Sequence, residues 1–228
     1  RRERPSPERS RVPADGGLEG EKEMMASNTR RPSLFLIDST ALAYRSYFAF
    51  IRNPLINSKG VNTGGVFGFA ASLMRILREE KPDYIACVFD TKAPTFRHRE
   101  YAAYKATRER MPDELAEQLP LIREIVEAFR IPLVEKEGYE ADDVIGTLAE
   151  RAREQGIDTF MVTGDKDLMQ LVGPHVRMYI SGKGASVPEV LGPAEVEKKM
   201  GVPPGKITDL LGLMGDHSDN IPGVPGVG

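Results

Sequence analysis

Five short apolar runs in this chain each give way to acidic residues, and that pattern restricts the fold more than any other feature. Residues 34–37 lead into Asp38, residues 84–89 into Asp90, and residues 131–134 pass through a turn into Gly138-Tyr139-Glu140-Ala141-Asp142-Asp143. Residues 159–163 are followed by Asp165 and Asp167, and residues 210–214 by Asp216 and Asp219. The first four runs suit strands buried on both faces, while residues 210–214 close a short helical stretch over residues 206–214. Between them, apolar residues recur at helical spacing. Val66, Phe67, Ala70, Leu73, Met74 and Leu77 do so in residues 64–80, and Leu115, Leu119, Ile122, Ile125, Val126 and Phe129 in residues 112–129. Alternating strands and helices predict an α/β fold with a mostly parallel central sheet flanked by helices.

In an open sheet of this kind, ligands bind beyond the carboxyl ends of the strands. Acids placed there converge on one edge. Glu140, Asp142 and Asp143 on their own would suit the start of a helix, where carboxylates cap free N–H groups and favour the dipole. Their company changes that reading. Several converging carboxylates repel one another unless divalent cations neutralise them, and Mg²⁺ or Mn²⁺ takes oxygen ligands.

After Asp90 the charge changes sign. Lys92, Arg97, Arg99, Lys105, Arg108 and Arg110 are opposed only by Glu100 and Glu109, with Phe96, Tyr101 and Tyr104 interleaved. Cations mixed with rings suit a single-stranded nucleic acid, whose phosphates are held by charge and whose bases stack. The plainer alternative is a solvated helix. The net charge of −3 does not itself suggest nucleic acid, but acid clusters masked by bound metal count against that total without repelling phosphates.

The 228 residues suffice for one sizeable domain with a small appendage. Residues 1–31, dominated by Arg, Glu, Pro, Ser and Gly, read as a disordered tail. Residues 32–190 read as the α/β core. From residue 191 the pattern shifts to short helices and glycine turns, ending in Gly223, Gly226 and Gly228, a spacing that lets backbone N–H groups approach an anion. A plain turn is the alternative there. Cys87 stands alone in an apolar run, which fits a reducing compartment. With no membrane-length apolar stretch and no signal-peptide pattern, a soluble intracellular protein is expected. His98, His175 and His217 lack metal-ligand spacing, and no Walker loop or internal repeat is present.

Taken together, five stretches resemble the 5′-nuclease (flap endonuclease-like, PIN-like) family found at the N-terminus of bacterial DNA polymerase I. They are residues 36–39, residues 88–90 with 96–108, residues 138–143, residues 163–167 and residues 215–224. The resemblance implies a structure-specific 5′-3′ exonuclease or flap endonuclease, cutting DNA by two-metal catalysis for primer removal in replication and repair. It implies that Asp38, Asp90, Glu140 and Asp142 hold one Mg²⁺ or Mn²⁺ ion with Asp143 close by. Asp165, Asp167, Asp216 and Asp219 would serve a second. Lys105 and Arg108 would act on the phosphate from the base of a helical arch over residues 92–111, with Arg97 also binding substrate and Tyr104 stacking a nucleotide. Gly223, Gly226 and Gly228 would belong to an incomplete helix-hairpin-helix element that grips duplex backbone and takes K⁺. The implied setting is a monomer in the bacterial cytoplasm at the nucleoid, with a polymerase domain as a covalent neighbour.

Three rival readings are weaker. A haloacid-dehalogenase-type phosphatase needs an Asp two residues after Asp38, where Thr40 stands. A DNA-binding module without catalysis would be expected to have lost acids, and none is lost. RNA-cutting nucleases of the same broad fold usually lack the basic arch and the glycine hairpin.

Overall fold

In the computed structural model, residues 30–182 and 186–227 are described, so most of the expected tail and Gly228 lie outside the described residues. Six strands form one sheet: β1 (Ser33–Asp38), β2 (Tyr84–Val88), β3 (Leu133–Val134), β4 (Asp158–Val162), β5 (Val176–Ile180) and β6 (Glu189–Leu191). Their order is β3-β2-β1-β4-β5-β6. All neighbours are parallel except β5 and β6, which are antiparallel. The chain leaves β1 toward β2 and β3, then crosses back to place β4 on the other side of β1. The carboxyl ends of β1 and β4 therefore form the switch point of the sheet, where such folds open a crevice.

Side chains of β1 alternate between two cores. Phe35 and Ile37 face one layer with Leu42, Phe69, Leu73, Leu115, Ile122 and Val126. These come from α1 (Ser39–Ala49), α2 (Gly64–Glu79) and, beyond the short α3 (Phe96–Glu100), α4 (Asp113–Ala128). Leu36 faces the opposite layer with Ile145, Ala149, Met161, Leu168, Val196 and Ile207. That layer contains α5 (Ala141–Glu154), a 3₁₀ helix (Lys166–Leu171), α6 (Pro193–Met200) and α7 (Ile207–Met214). The period of two along β1 thus fills both faces, which is why its sequence reads as continuously apolar.

One segment differs from expectation. The basic stretch is helical only over Phe96–Glu100: Tyr101 is extended (φ −134°, ψ 97°) and Lys105 stands at φ 56°, and both interrupt an α-helix. Residues 101–107 fold as turns instead of a long arch. As expected of the short helical stretch over residues 206–214, the apolar residues 210–214 belong to α7, so Asp216 and Asp219 reach the site from a helix end. They do so through a small antiparallel hairpin, β7 (Gly215–Asp216) with β8 (Ile221–Pro222). Among the described residues, the glycine-rich end follows this hairpin and does not lie between two helices. Gly223 is pressed against the end of α7, where a Cβ would lie 2.2 Å from the Met214 carbonyl oxygen. Its close approach is to protein backbone, while Gly226 (φ +83°) has open space around it.

Candidate active site

Each acid is delivered by an element end. Asp38 closes β1 and caps α1, its Oδ1 accepting the Ala41 N–H at 2.9 Å and its Oδ2 the Thr163 hydroxyl at 3.1 Å. Asp90 follows β2 and caps α5 from a distance, accepting the Ala141 N–H at 2.9 Å. Asp142 sits in the first turn of α5. Asp165 caps the 3₁₀ helix by accepting the Asp167 N–H at 3.0 Å. A helix start brings free N–H groups and a positive dipole end, so acids are locally favoured there. Three such starts meeting at one sheet edge make a site.

The acids divide into two electrostatic sets. In the first, Asp38, Asp142 and Asp167 are held above the ordinary carboxylate range. Burial is the largest cause for each, followed by repulsion among neighbours. Asp142 is pushed to about 8 with Asp38, Asp165 and Asp90 adding, and Lys105 opposing. Asp38 is pushed to about 6 by burial with Asp90 and Asp165 adding, against the Ala41 N–H and the Thr163 hydroxyl. Asp167 is pushed to about 6 by burial with Asp165 and Asp216 adding. Its Oδ1 is buried without a hydrogen-bond partner.

In the second set the protein supplies its own cations. Asp143 takes both guanidinium nitrogens of Arg97 at 2.8 Å. Burial alone would raise its pKa, but Arg97 and the Glu140 N–H outweigh it and hold the carboxyl low. Glu140 takes Lys105 Nζ at 2.9 Å and the Tyr104 hydroxyl at 2.9 Å. Asp219 accepts the same hydroxyl at 3.0 Å. Asp216 takes Lys166 Nζ at 3.1 Å and the Ser218 hydroxyl at 2.6 Å, which outweigh its burial and hold it low.

These donors are hard carboxylate oxygens, and the first set is desolvated, mutually repelling and short of protein cations. That chemistry fits a divalent ion. Among the described residues, no three His, Cys, Asp or Glu side chains are already arranged as the ligands of a metal ion. The fit is therefore one of donor type and charge, not of a finished ligand shell.

Two clefts, of about 780 and 660 Å³, open onto these groups, and Lys105, Arg108, Glu140, Asp142 and Asp165 line both. Arg108 is exposed in them, as the expected phosphate contact should be. Tyr104 differs from expectation: it is only 5% exposed, with its hydroxyl drawn inward by Glu140 and Asp219. A ring held that way does not offer a face to a base. Tyr44, not singled out from sequence, lines the larger cleft and stacks on Phe48 with ring centres 6.3 Å apart. Its signal was present in the helical spacing of Tyr44 and Phe48, four residues apart on α1. Thr40, where the phosphatase reading needs an acid, accepts the Asp90 N–H at 3.1 Å.

Comparison with known proteins agrees with this geometry. Residues 33–201 match the family model described as the 5′-3′ exonuclease, N-terminal resolvase-like domain. DNA polymerase I of Bacillus caldotenax is 49% identical over 199 residues, covering 87% of this chain and 22% of the relative. DNA polymerase I of Bacillus subtilis is 48% identical over 201 residues, covering 88% and 22%. The chain thus spans about a fifth of the length of these relatives. Among solved structures, a bacteriophage T5 5′-exonuclease with bound divalent zinc superposes with a TM-score of 0.69 at 19% identity, covering 86% of this chain and 71% of that one. The catalytic core of Rad2 in complex with DNA superposes at 0.54 with 20% identity, covering 87% and 58%. At those identities the likeness is one of fold, a mostly parallel sheet flanked by helices. The family match over most of the chain, with the sheet-edge acids in place, puts this chain in the 5′-3′ exonuclease family as its N-terminal, resolvase-like domain.

Proposed function

We propose that this domain hydrolyses DNA phosphodiesters at 5′ ends and 5′ flaps with the help of two Mg²⁺ or Mn²⁺ ions. The observation that carries the reading is the uncompensated carboxylate set, Asp38, Asp142 and Asp167 with Asp90 and Asp165, spread over two clefts that share Asp142, Asp165, Lys105 and Arg108. Those five acids, together with Glu140 and Asp219, would hold the divalent ions, and Asp143 and Asp216 lie beside them. Divalent ions held there would supply Lewis acidity that activates water near neutral pH and would offset charge on the leaving oxygen.

The chain's own residues do the rest. Arg108, exposed in both clefts, binds the phosphate and offsets the charge that builds on it. Lys105 adds a second cation beside it. Tyr44 and Phe48 offer stacked rings for the terminal base. Arg97 does not face solvent freely but anchors α3 to α5 through Asp143, so its contribution to substrate binding is indirect. Asp38, Asp90 and Asp165 are each fixed by a helix start, which sets the reacting geometry before substrate arrives.

The substrate class is supported by the T5 flap endonuclease solved as a complex with DNA and metal ions, which shares this fold with a TM-score of 0.67. As part of a longer polymerase-like protein, the domain would clear primers during replication and repair in the bacterial cytoplasm, working as a monomer. No helix among the described residues is long and apolar enough to cross a membrane. Incubating the chain with a 5′-labelled flap duplex in Mg²⁺ tests the reading. Short labelled products that vanish in EDTA support it, and an uncut duplex over a range of Mg²⁺ and Mn²⁺ concentrations counts against it.

A further inference from the structure

The turn at residues 101–105 is pinned to the loop at residues 217–220 from several directions. The Lys105 N–H donates to the Asp219 carbonyl at 3.0 Å, and Asn220 Nδ2 donates to the Ala103 carbonyl at 2.8 Å. The Tyr101 hydroxyl donates to the Asn220 carbonyl at 3.1 Å. Lys105 and Asn220 both stand at φ 56°, a left-handed backbone that Asn accepts readily and Lys uncommonly. Held there, Lys105 Nζ lies 2.9 Å from Glu140 and 3.8 Å from Asp219, while the Tyr104 hydroxyl bridges the same two carboxylates.

We propose that this docked turn is a latch: Lys105 and Tyr104 occupy the Glu140 and Asp219 oxygens that a divalent cation requires, and Asn220 is the positioning residue that keeps them there. The inference rests on the metal-dependent reading above. An ammonium and a divalent cation repel at such range and cannot share one carboxylate oxygen. Cation binding at Glu140 and release of the turn are therefore linked, each favouring the other by the same factor. Arg108 N–H bonds to the Lys105 carbonyl at 3.0 Å, so the exposed Arg108 moves with the turn as Lys105 is released. The latch keeps the acids neutralised until metal arrives, then turns Lys105 from an internal counter-charge into a group available to phosphate.

The test uses the full chain stripped of metal, with Mn²⁺ titrated calorimetrically into wild type, Lys105→Met and Asn220→Gly. Asn220→Gly keeps the positive-φ backbone accessible, removes the bond to Ala103 and touches no carboxylate. Both variants are expected to bind Mn²⁺ about tenfold more tightly, the worth of a charge-assisted hydrogen bond. A residue with a merely structural role would weaken binding when removed, not strengthen it. Trypsin supplies a second readout: cleavage after Lys105 and Arg108 should quicken with Mn²⁺ in wild type and be fast without it in Asn220→Gly. Equal or weaker Mn²⁺ affinity in both variants, with metal-independent cleavage, overturns the latch and leaves the metal reading standing. No Mn²⁺ binding by any of the three proteins overturns both.

Discussion

Arg97 grips Asp143 with two prongs, Nη1 and Nη2 each 2.8 Å from a separate carboxylate oxygen, and so ties α3 to the first turn of α5. The same Asp143 carboxylate accepts the Glu140 N–H at 3.0 Å. One ion pair thereby sets both the start of α5 and the position of the basic segment beside it.

Arg97→Ala should cost about 1–2 kcal/mol at pH 7 in urea unfolding, since the pair is bidentate but only partly shielded from water. Asp143 is held below its ordinary value by Arg97 and the Glu140 N–H acting against burial. Its contribution is therefore present above the unfolded Asp value of about 3.9 and is lost as pH falls through the lower native value. The gap between wild type and Arg97→Ala should close as the solution is acidified below about pH 4. A gap that stays constant from neutral pH down to pH 3 would contradict the ion-pair account.

Asp142 predicts the opposite slope. Burial and its acidic neighbours raise it to about 8 in the folded protein. Without metal, stability linked to this group is full below the unfolded value of about 3.9 and is lost as pH rises toward 8. Asp142→Asn, which cannot ionise, should be more stable than wild type by about 1–2 kcal/mol at pH 8 in EDTA and lose that advantage near pH 4. Mg²⁺ should stabilise wild type more than the variant. Thermal melts in EDTA and in Mg²⁺ at both pH values decide it, and a variant less stable than wild type at pH 8 in EDTA would refute the repulsion argument.

The two tyrosines should separate by kinetics. Tyr44→Ala removes a cleft-facing ring and should weaken binding of a 5′ single-stranded end by about tenfold, the lower part of the range for base stacking on an aromatic side chain. Tyr104→Leu removes its buried ring and should leave KM for that end within about twofold, because no base reaches it. Steady-state kinetics on one flap substrate gives both values. A larger KM rise for Tyr104→Leu than for Tyr44→Ala would restore Tyr104 as the stacking ring.

Gly215 is a backbone hinge for Asp216 and Asp219. It stands at φ +77°, and a Cβ there would lie 2.3 Å from the Gly223 nitrogen. Gly215→Ala should destabilise the β7–β8 hairpin by about 1–3 kcal/mol and displace both acids. Faster amide exchange confined to residues 213–224 would mark the effect, whereas unchanged exchange there would show that the hairpin tolerates a side chain.

The sheet and the first acid set were legible because both follow from local patterns: apolar runs, helical spacing and the acids that close each run. The second set was not, because its neutralising partners come from elsewhere in the chain. Lys105 meets Glu140 and Asp219, and Lys166 meets Asp216, only after tertiary folding. Tyr104 looked exposed because its sequence neighbours are basic, yet two carboxylates draw its hydroxyl inward. Residues 206–214 read as a short helix, and the packing of Ile207 and Leu211 into the α5-side core shows the face that this helix buries. The extent of the arch was misjudged for a backbone reason, the positive φ at Lys105, which spacing does not reveal.

The most direct measurement is the rate at which 5′-labelled product leaves a flap duplex in Mg²⁺, compared among wild type, Asp142→Asn and Asp143→Asn. Asp142 belongs to the uncompensated set, while Asp143 is already neutralised by Arg97. The account predicts that Asp142→Asn loses at least about 10³-fold and Asp143→Asn only about tenfold. Cleavage by Asp142→Asn at the wild-type rate, or an equal loss in both variants, would contradict the division of acids on which the proposed catalysis rests.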